Sequence, residues 1–310
     1  MSLDVSAVQA ALREDNLDGW LLYDFHGSNP IARRVTGLNT GTKLTTRRWY
    51  YLIPSTGEPR ALVHAIERDR LNHLPGDKME YAGHDRLKNG LRLLVNGCTS
   101  IAMEFSPECA IPYVSRVDAG TVDAIRTLGV DVRSSGDLVQ RFEAVWDDAA
   151  LADHKAASTA LYAIKDQAFA MVTERIRGGA TVTEFEVQEA MSAWFTAAGL
   201  TSDSRPVVAA QENAGDPHYL PTRERHRIIG PDEVLLLDLW GKLTTPGAVY
   251  ADITWMGYTG GSVPTRYAEA FAVVRDGRDA AIELIQEAVR AGESLEGWEV
   301  DRVARNNITD

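Results

Sequence analysis

Apolar residues along this chain follow two rhythms, short unbroken runs and longer stretches with helical spacing. Ser6 to Asp15 has the recurrence of an amphipathic helix. Trp20-Leu21-Leu22-Tyr23 is an apolar run that predicts a buried strand, and Trp49-Tyr50-Tyr51-Leu52-Ile53 predicts another, stopped by Pro54 and a turn at Ser55-Thr56-Gly57. Ala61-Leu62-Val63, Ile101-Ala102-Met103 and Val130-Asp131-Val132 add further strands, with a helical stretch from Ser115 to Leu128 before the last. Strands alternating with helices in this way predict one layered α/β domain.

Between Phe142 and Asp153 the composition turns to acids and alanine, so the domain boundary is expected near residue 150, giving domains 1–150 and 151–310. A long amphipathic helix is predicted from Leu151 to Arg177, stopped at Gly178-Gly179, with Ala160, Ile164, Ala168, Met171 and Val172 as its packing stripe. Thr181-Val182-Thr183-Glu184 reads as a cap for a second helix from Phe185 to Ala198, stopped by Gly199. Short strands and polar loops follow, including Pro206 to Ala209 and the extended run Glu233 to Leu239. Helices are expected at Asp279 to Ala291 and Trp298 to Arg305.

Composition narrows the function. The 310 residues carry 32 Lys+Arg against 44 Asp+Glu, a formal charge of −12, which excludes a polyanion-binding protein that relies on bulk positive charge and argues against nucleic acid as a partner. Hydrophobic residues at 45% and charged residues at 25% suit a folded globular chain. Cys98 and Cys109 are too few for a disulfide scaffold. Met1 to Asn16 does not read as a signal peptide, and no apolar run is long enough for a membrane span. A cytoplasmic protein without membrane partners is the expectation.

Candidate chemistry concentrates in Val234-Leu235-Leu236-Leu237-Asp238-Leu239-Trp240 and Tyr250-Ala251-Asp252-Ile253-Thr254-Trp255, two antiparallel strands joined by a loop containing Pro246 and Gly247. If the hairpin is symmetric about Thr245, Asp238 lies directly opposite Asp252 on one face. Two carboxylates placed so closely repel, unless a cation compensates or one takes up a proton. A divalent metal is one solution; hydrogen bonds from loop amides, or pairing with Lys242, Arg223 or Arg225, is the other. The loop Asn213-Ala214-Gly215-Asp216-Pro217-His218-Tyr219-Leu220-Pro221 holds one imidazole between prolines, which suits a residue presented to a ligand and equally a surface histidine. His26, His64, His73, His84, His154 and His226 have no ligand-like mutual spacing and are assigned no chemistry.

The order of long helix, second helix, Asn-Ala-Gly-Asp-Pro-His-Tyr loop, Leu-Leu-Leu-Asp-Leu-Trp strand and Ala-Asp-Ile-Thr strand resembles the Xaa-Pro aminopeptidase, prolidase and creatinase family. The first half is similar to that family's N-terminal domain at Leu17-Asp18-Gly19-Trp20-Leu21-Leu22 and Thr36-Gly37-Leu38. The resemblance implies an α/β N-terminal domain followed by the α+β catalytic domain called pita-bread. It implies a peptidase acting on small peptides, often with proline after the cut, as a homodimer. It also implies two divalent ions, manganese, cobalt, zinc or iron, held by Asp, Asp, His, Glu and Glu. Asp238 and Asp252 match the two aspartates, and His218 matches a histidine that contacts substrate.

The pattern departs from the family after Asp252. The last histidine is His226, and Glu269, Glu283, Glu287, Glu293, Glu296 and Glu299 fall in regions read as a strand edge and helices. The expectation is an incomplete pita-bread domain whose remaining ligands are missing, with a weak, unoccupied metal site, exposed apolar surface and no peptidase activity from the 310 residues alone. Non-peptidase members of the same fold, small-molecule hydrolases or lyases, and a non-catalytic dimerisation module are the alternatives.

Overall fold

A computed structural model describes residues 3–38 and 45–309. Asp310, the last residue of the sequence, lies outside the described residues. The chain forms two compact units, Met1–Trp146 and Asp147–Asp310.

In the first unit, α1 (Val5–Glu14) is capped by the Asp4 carboxylate, which accepts from the Ala7 amide. There follow β1 (Gly19–Asp24), α2 (Pro30–Val35), β2 (Trp49–Pro54), β3 (Arg60–His64), β4 (Asp77–Tyr81), α3 (His84–Leu94), β5 (Ser100–Met103), α4 (Ala119–Arg126), β6 (Asp131–Ser134) and α5 (Gly136–Val139). The strands described form one mixed sheet in the order β4-β3-β2-β1-β5-β6, in which only the pairings that involve β2 are antiparallel. Leu21 and Tyr23 of β1 pack on one side with Leu87, Leu91, Val122 and Ile125. Trp20 and Leu22 pack on the other with Val8, Leu12, Ala32 and Leu138. Burial on both faces is why the central strands are unbroken apolar runs rather than alternating ones.

Two expectations need correction here. The helix expected from Ser115 begins only at Ala119, because Asp118 caps it by accepting from the Thr121 amide at 2.9 Å. Strand β4 was not expected, since Asp77-Lys78-Met79-Glu80-Tyr81 is an edge strand exposed over most of its length and carries little apolar signal.

Two acids of this unit, Asp24 and Glu104, are fully buried. Glu104 accepts from Trp20 Nε1 at 2.7 Å, Asn29 Nδ2 at 2.6 Å and Ser135 Oγ at 3.3 Å. Burial pushes its carboxyl up to about 7 despite those three donors.

The second unit opens with α6 (Asp148–Arg177), three residues ahead of the expected start because Asp147 caps it through the Ala150 amide at 2.7 Å. Next come α7 (Glu184–Ala197), β7 (Leu200–Thr201), β8 (Val207–Ala210), β9 (Val234–Leu243), β10 (Ala251–Tyr258), α8 (Thr265–Ala291) and α9 (Gly297–Thr309). Strand β9 is central, with β10 on one edge and β7 and β8 on the other, all antiparallel. Ala157, Leu161, Ile164, Ala168 and Val172 of α6 and Val187, Met191 and Phe195 of α7 cover one face of this sheet.

Helix α8 starts well before Asp279, so Glu269 lies inside a helix and not at a strand edge. It packs on α9, where Gly277 meets Ile308, and leaves Phe271, Val274, Ile282, Ile285 and Val289 exposed. Among the described residues no helix is long and apolar enough to cross a membrane.

Candidate metal and substrate site

Strand β9 alternates strictly. Leu235, Leu237, Leu239 and Gly241 point into the helix-covered core, so Leu236, Asp238 and Trp240 share the opposite, half-buried face. Gly241 is required on the inner side: a Cβ there would lie 2.8 Å from the Phe195 ring. The sheet is thereby seated on α7, and its other face carries the candidate chemistry.

The register differs from the expected one. Asp238 pairs with Thr254, and Asp252 pairs with Trp240. The ladder is centred one residue later than Thr245, and the loop that joins its strands closes through a turn in which Ala248 N donates to Thr245 O at 3.1 Å around Pro246 and Gly247 (φ +85°). Moving the centre by one residue moves every pairing by two. That displacement preserves the parity of the strand, so Asp238 and Asp252 remain on one face as diagonal neighbours.

Their environments are unequal. Asp238 is half-buried and its Oδ1 accepts from Thr254 Oγ1 at 2.8 Å, whereas Asp252 is exposed. Desolvation by the surrounding sheet, followed by the nearby Asp238 charge, holds the Asp252 carboxyl above its usual range.

Among the described residues neither aspartate forms an ion pair, and the three cations proposed as partners are engaged elsewhere. Lys242 lies over the Tyr250 ring, Arg223 lies over Phe185, and Arg225 reaches Asp216 and Tyr219. The acceptor set that remains is two carboxylates with hard oxygen donors, which suits a divalent cation in kind but is small in number. Among the described residues no group of three or more His, Cys, Asp or Glu side chains could hold a metal ion.

His218 lies exposed in its loop, and the loop is well fixed. The Asp216 carboxylate accepts from the His218 amide at 3.0 Å, and Asp216 O accepts from the Tyr219 amide at 3.0 Å. Among the described residues no hydrogen bond joins His218 to Asp238 or Asp252.

The residue that fixes this loop escaped the sequence reading. Glu184, fully buried at the first position of α7, accepts from Ala210 N at 2.7 Å, Asn213 Nδ2 at 3.0 Å, Tyr219 OH at 2.5 Å and Arg227 N at 2.8 Å. One carboxylate therefore ties the end of β8, both ends of the His218 loop and the segment after it to the start of α7. A signal existed in the sequence. The capping box is completed by Thr183 and Glu186, so the second acid of that first turn, Glu184, is surplus to capping and free for another role.

The sequence profile of metallopeptidase family M24 matches residues 157–310, which include Glu184, His218, Asp238 and Asp252. No curated protein sequence matches the chain. Among solved structures, the chain is similar to dipeptidase PepE from Mycobacterium ulcerans, with a TM-score of 0.63 and 17% identity over 99% of this chain and 75% of that one. A prolidase from Thermococcus sibiricus gives 0.59 and 17% over 100% and 78%. An X-prolyl aminopeptidase from Caenorhabditis elegans, described as a cytosolic enzyme with a di-nuclear active site, gives 0.58 and 13% over 99% and 50%. At these identities the likeness shows the fold.

Proposed function

We propose, from the match of residues 157–310 to metallopeptidase family M24, that the chain is a hydrolase of the Xaa-Pro aminopeptidase or dipeptidase type, in which Asp238 and Asp252 contribute to a site for two divalent ions and His218 meets the peptide substrate. The observation that carries this reading is the sheet face on which Asp238 and Asp252 stand as diagonal neighbours, neither of them in an ion pair among the described residues. A divalent ion bound there supplies Lewis-acid activation. The protein's own part is positional: β9 and β10 aim both carboxylates from one rigid sheet, Thr254 orients Asp238, and Glu184 holds the loop that presents His218.

The same reading sets a limit on the 310 residues alone. With a pair of carboxylates as its donor set, the site holds manganese, cobalt or zinc weakly, and the isolated chain does not hydrolyse an Xaa-Pro dipeptide. The free thiols Cys98 and Cys109 support a reducing, cytoplasmic setting, and a homodimer is the proposed assembly.

Titration of the purified chain with each metal, beside Asp238→Asn and Asp252→Asn, tests the assignment. Weak binding that either substitution abolishes is expected, with no turnover. Metal-dependent turnover by the pure chain overturns the predicted inactivity, and binding indifferent to both substitutions overturns the ligand assignment.

A further inference from the structure

The first unit contains a cavity of about 550 Å³ that the peptidase reading does not use. It opens at one end of the sheet. Tyr23, His64 and Tyr81 sit at the carboxyl ends of β1, β3 and β4, and Arg47 and Arg48 enter from the residues just before the antiparallel strand β2. The crevice outside the carboxyl ends of parallel strands is where open α/β sheets bind ligands.

Its charge is opposite to that of the chain. In a protein with a formal charge of −12, this cavity gathers Arg47, Arg48, His64 and His84. Among the described residues neither guanidinium forms an ion pair; Arg47 reaches only the backbone and hydroxyl oxygens of its neighbour Thr46. The one acid in the lining, Asp118, is engaged elsewhere, accepting from Thr121 N at 2.9 Å, Thr121 Oγ1 at 2.8 Å and Tyr23 OH at 3.2 Å. The nearby Glu67 is likewise engaged, accepting from both Thr46 N and Thr46 Oγ1. Two guanidinium groups that form no ion pair among the described residues therefore line the cavity.

The imidazole of His64 is set as a donor. Its Nδ1 accepts from the Ile66 amide at 3.1 Å, which places the ring proton on Nε2, and the ring is held edge-on to Tyr81 with centroids 5.0 Å apart. Helix α3 begins at the same rim, behind Gly83, without a side-chain cap. Phe25 and Leu87 supply apolar wall. The volume is within the roughly 300–1,000 Å³ range of small-molecule sites.

We propose that the first unit binds a small organic oxyanion, a carboxylate or phosphate attached to an apolar ring, with the oxyanion held by Arg47, Arg48 and His64 Nε2 and the ring against Phe25 and Tyr81. Guanidinium pairs suit such groups because their planar donors match two oxygens at once. This inference is independent of the peptidase assignment.

Isothermal titration of the full 310-residue chain, with a chelator present so that no metal at Asp238 and Asp252 contributes, tests it with phenyl phosphate, benzoate and inorganic phosphate as probes. Saturable binding of phenyl phosphate or benzoate at millimolar concentration or below is expected. It weakens by about tenfold or more in the Arg47→Gln/Arg48→Gln double variant, and with added salt. Both arginines are solvent-exposed, so the double variant keeps the parent's unfolding midpoint. A preference for phenyl phosphate identifies a phosphate ligand, and a preference for benzoate a carboxylate. No saturable binding of any probe, or equal binding by the double variant, overturns the proposal, and inorganic phosphate binding as tightly as phenyl phosphate overturns the role of the apolar wall.

Discussion

Replacing Glu184 by alanine withdraws one acceptor from four groups at once: the amides of Ala210 and Arg227, the Asn213 side chain and the Tyr219 hydroxyl. The site is fully buried, so water does not replace the lost partner without opening the structure. Each orphaned buried donor costs about 1–3 kcal/mol. The losses are not additive, because the loop relaxes as a unit, and the net destabilisation of the second unit is placed at about 3–5 kcal/mol. Glu184→Gln retains the shape and one carbonyl oxygen but turns an amide N–H toward another donor, so about 2 kcal/mol is expected.

Hydrogen exchange read by mass spectrometry separates this local effect from global loss. With each factor of ten worth about 1.4 kcal/mol, protection over residues 207–228 falls by about a hundredfold or more in Glu184→Ala, while the peptide covering Gly19–Asp24 keeps the parent's protection. A change below about tenfold over 207–228 would refute the claim that this carboxylate holds the loop. An equal loss in the first unit would show that the effect is not local.

Glu104 gives a pH-dependent test. Its carboxyl in the folded first unit is pushed up to about 7 from an ordinary 4.5, so the folded state keeps a proton that the unfolded chain releases. Stability from this group is therefore greatest below about pH 4.5, falls as pH rises, and levels off above about 7, a change on the order of 3 kcal/mol. Urea unfolding of the first unit at intervals across this range checks it, and Glu104→Gln flattens the slope. Gly241→Ala drives a methyl group into the Phe195 ring and is expected to destabilise the second unit by about 1–3 kcal/mol, measured by denaturant midpoint. Asp147→Ala removes the cap of α6 and is expected to cost about 1 kcal/mol, with faster exchange confined to the first turn of that helix.

Local chemistry made part of this protein legible from its residues alone. The apolar runs of β1, β2, β3 and β5 stand out because strands buried on both faces admit few polar side chains, α6 carries its own stop signal, and α7 carries both a cap and a stop. The two aspartates are visible for a related reason: an acid among consecutive leucines is costly unless it has a task. Their shared face follows once the hairpin is centred on a residue, because every pairing then joins positions of like parity and Asp238 and Asp252 are separated by an even number of positions.

Only the folded chain decided which residues stand opposite one another, because one residue of difference in the centre of the hairpin moves each pairing by two. Only the fold made Glu184 a centre, by bringing Ala210, Asn213, Tyr219 and Arg227 to one carboxylate from segments distant in sequence. The same holds for the Arg47-Arg48 pair, His64 and His84, which lie far apart along the chain and meet because β1, β3 and β4 end where β2 begins, at one end of the sheet. Periodicity and capping are written over three or four residues and survive in a one-dimensional reading. Hydrogen bonds and charges converging from distant segments depend on the crossing of strands, which no short window of sequence contains.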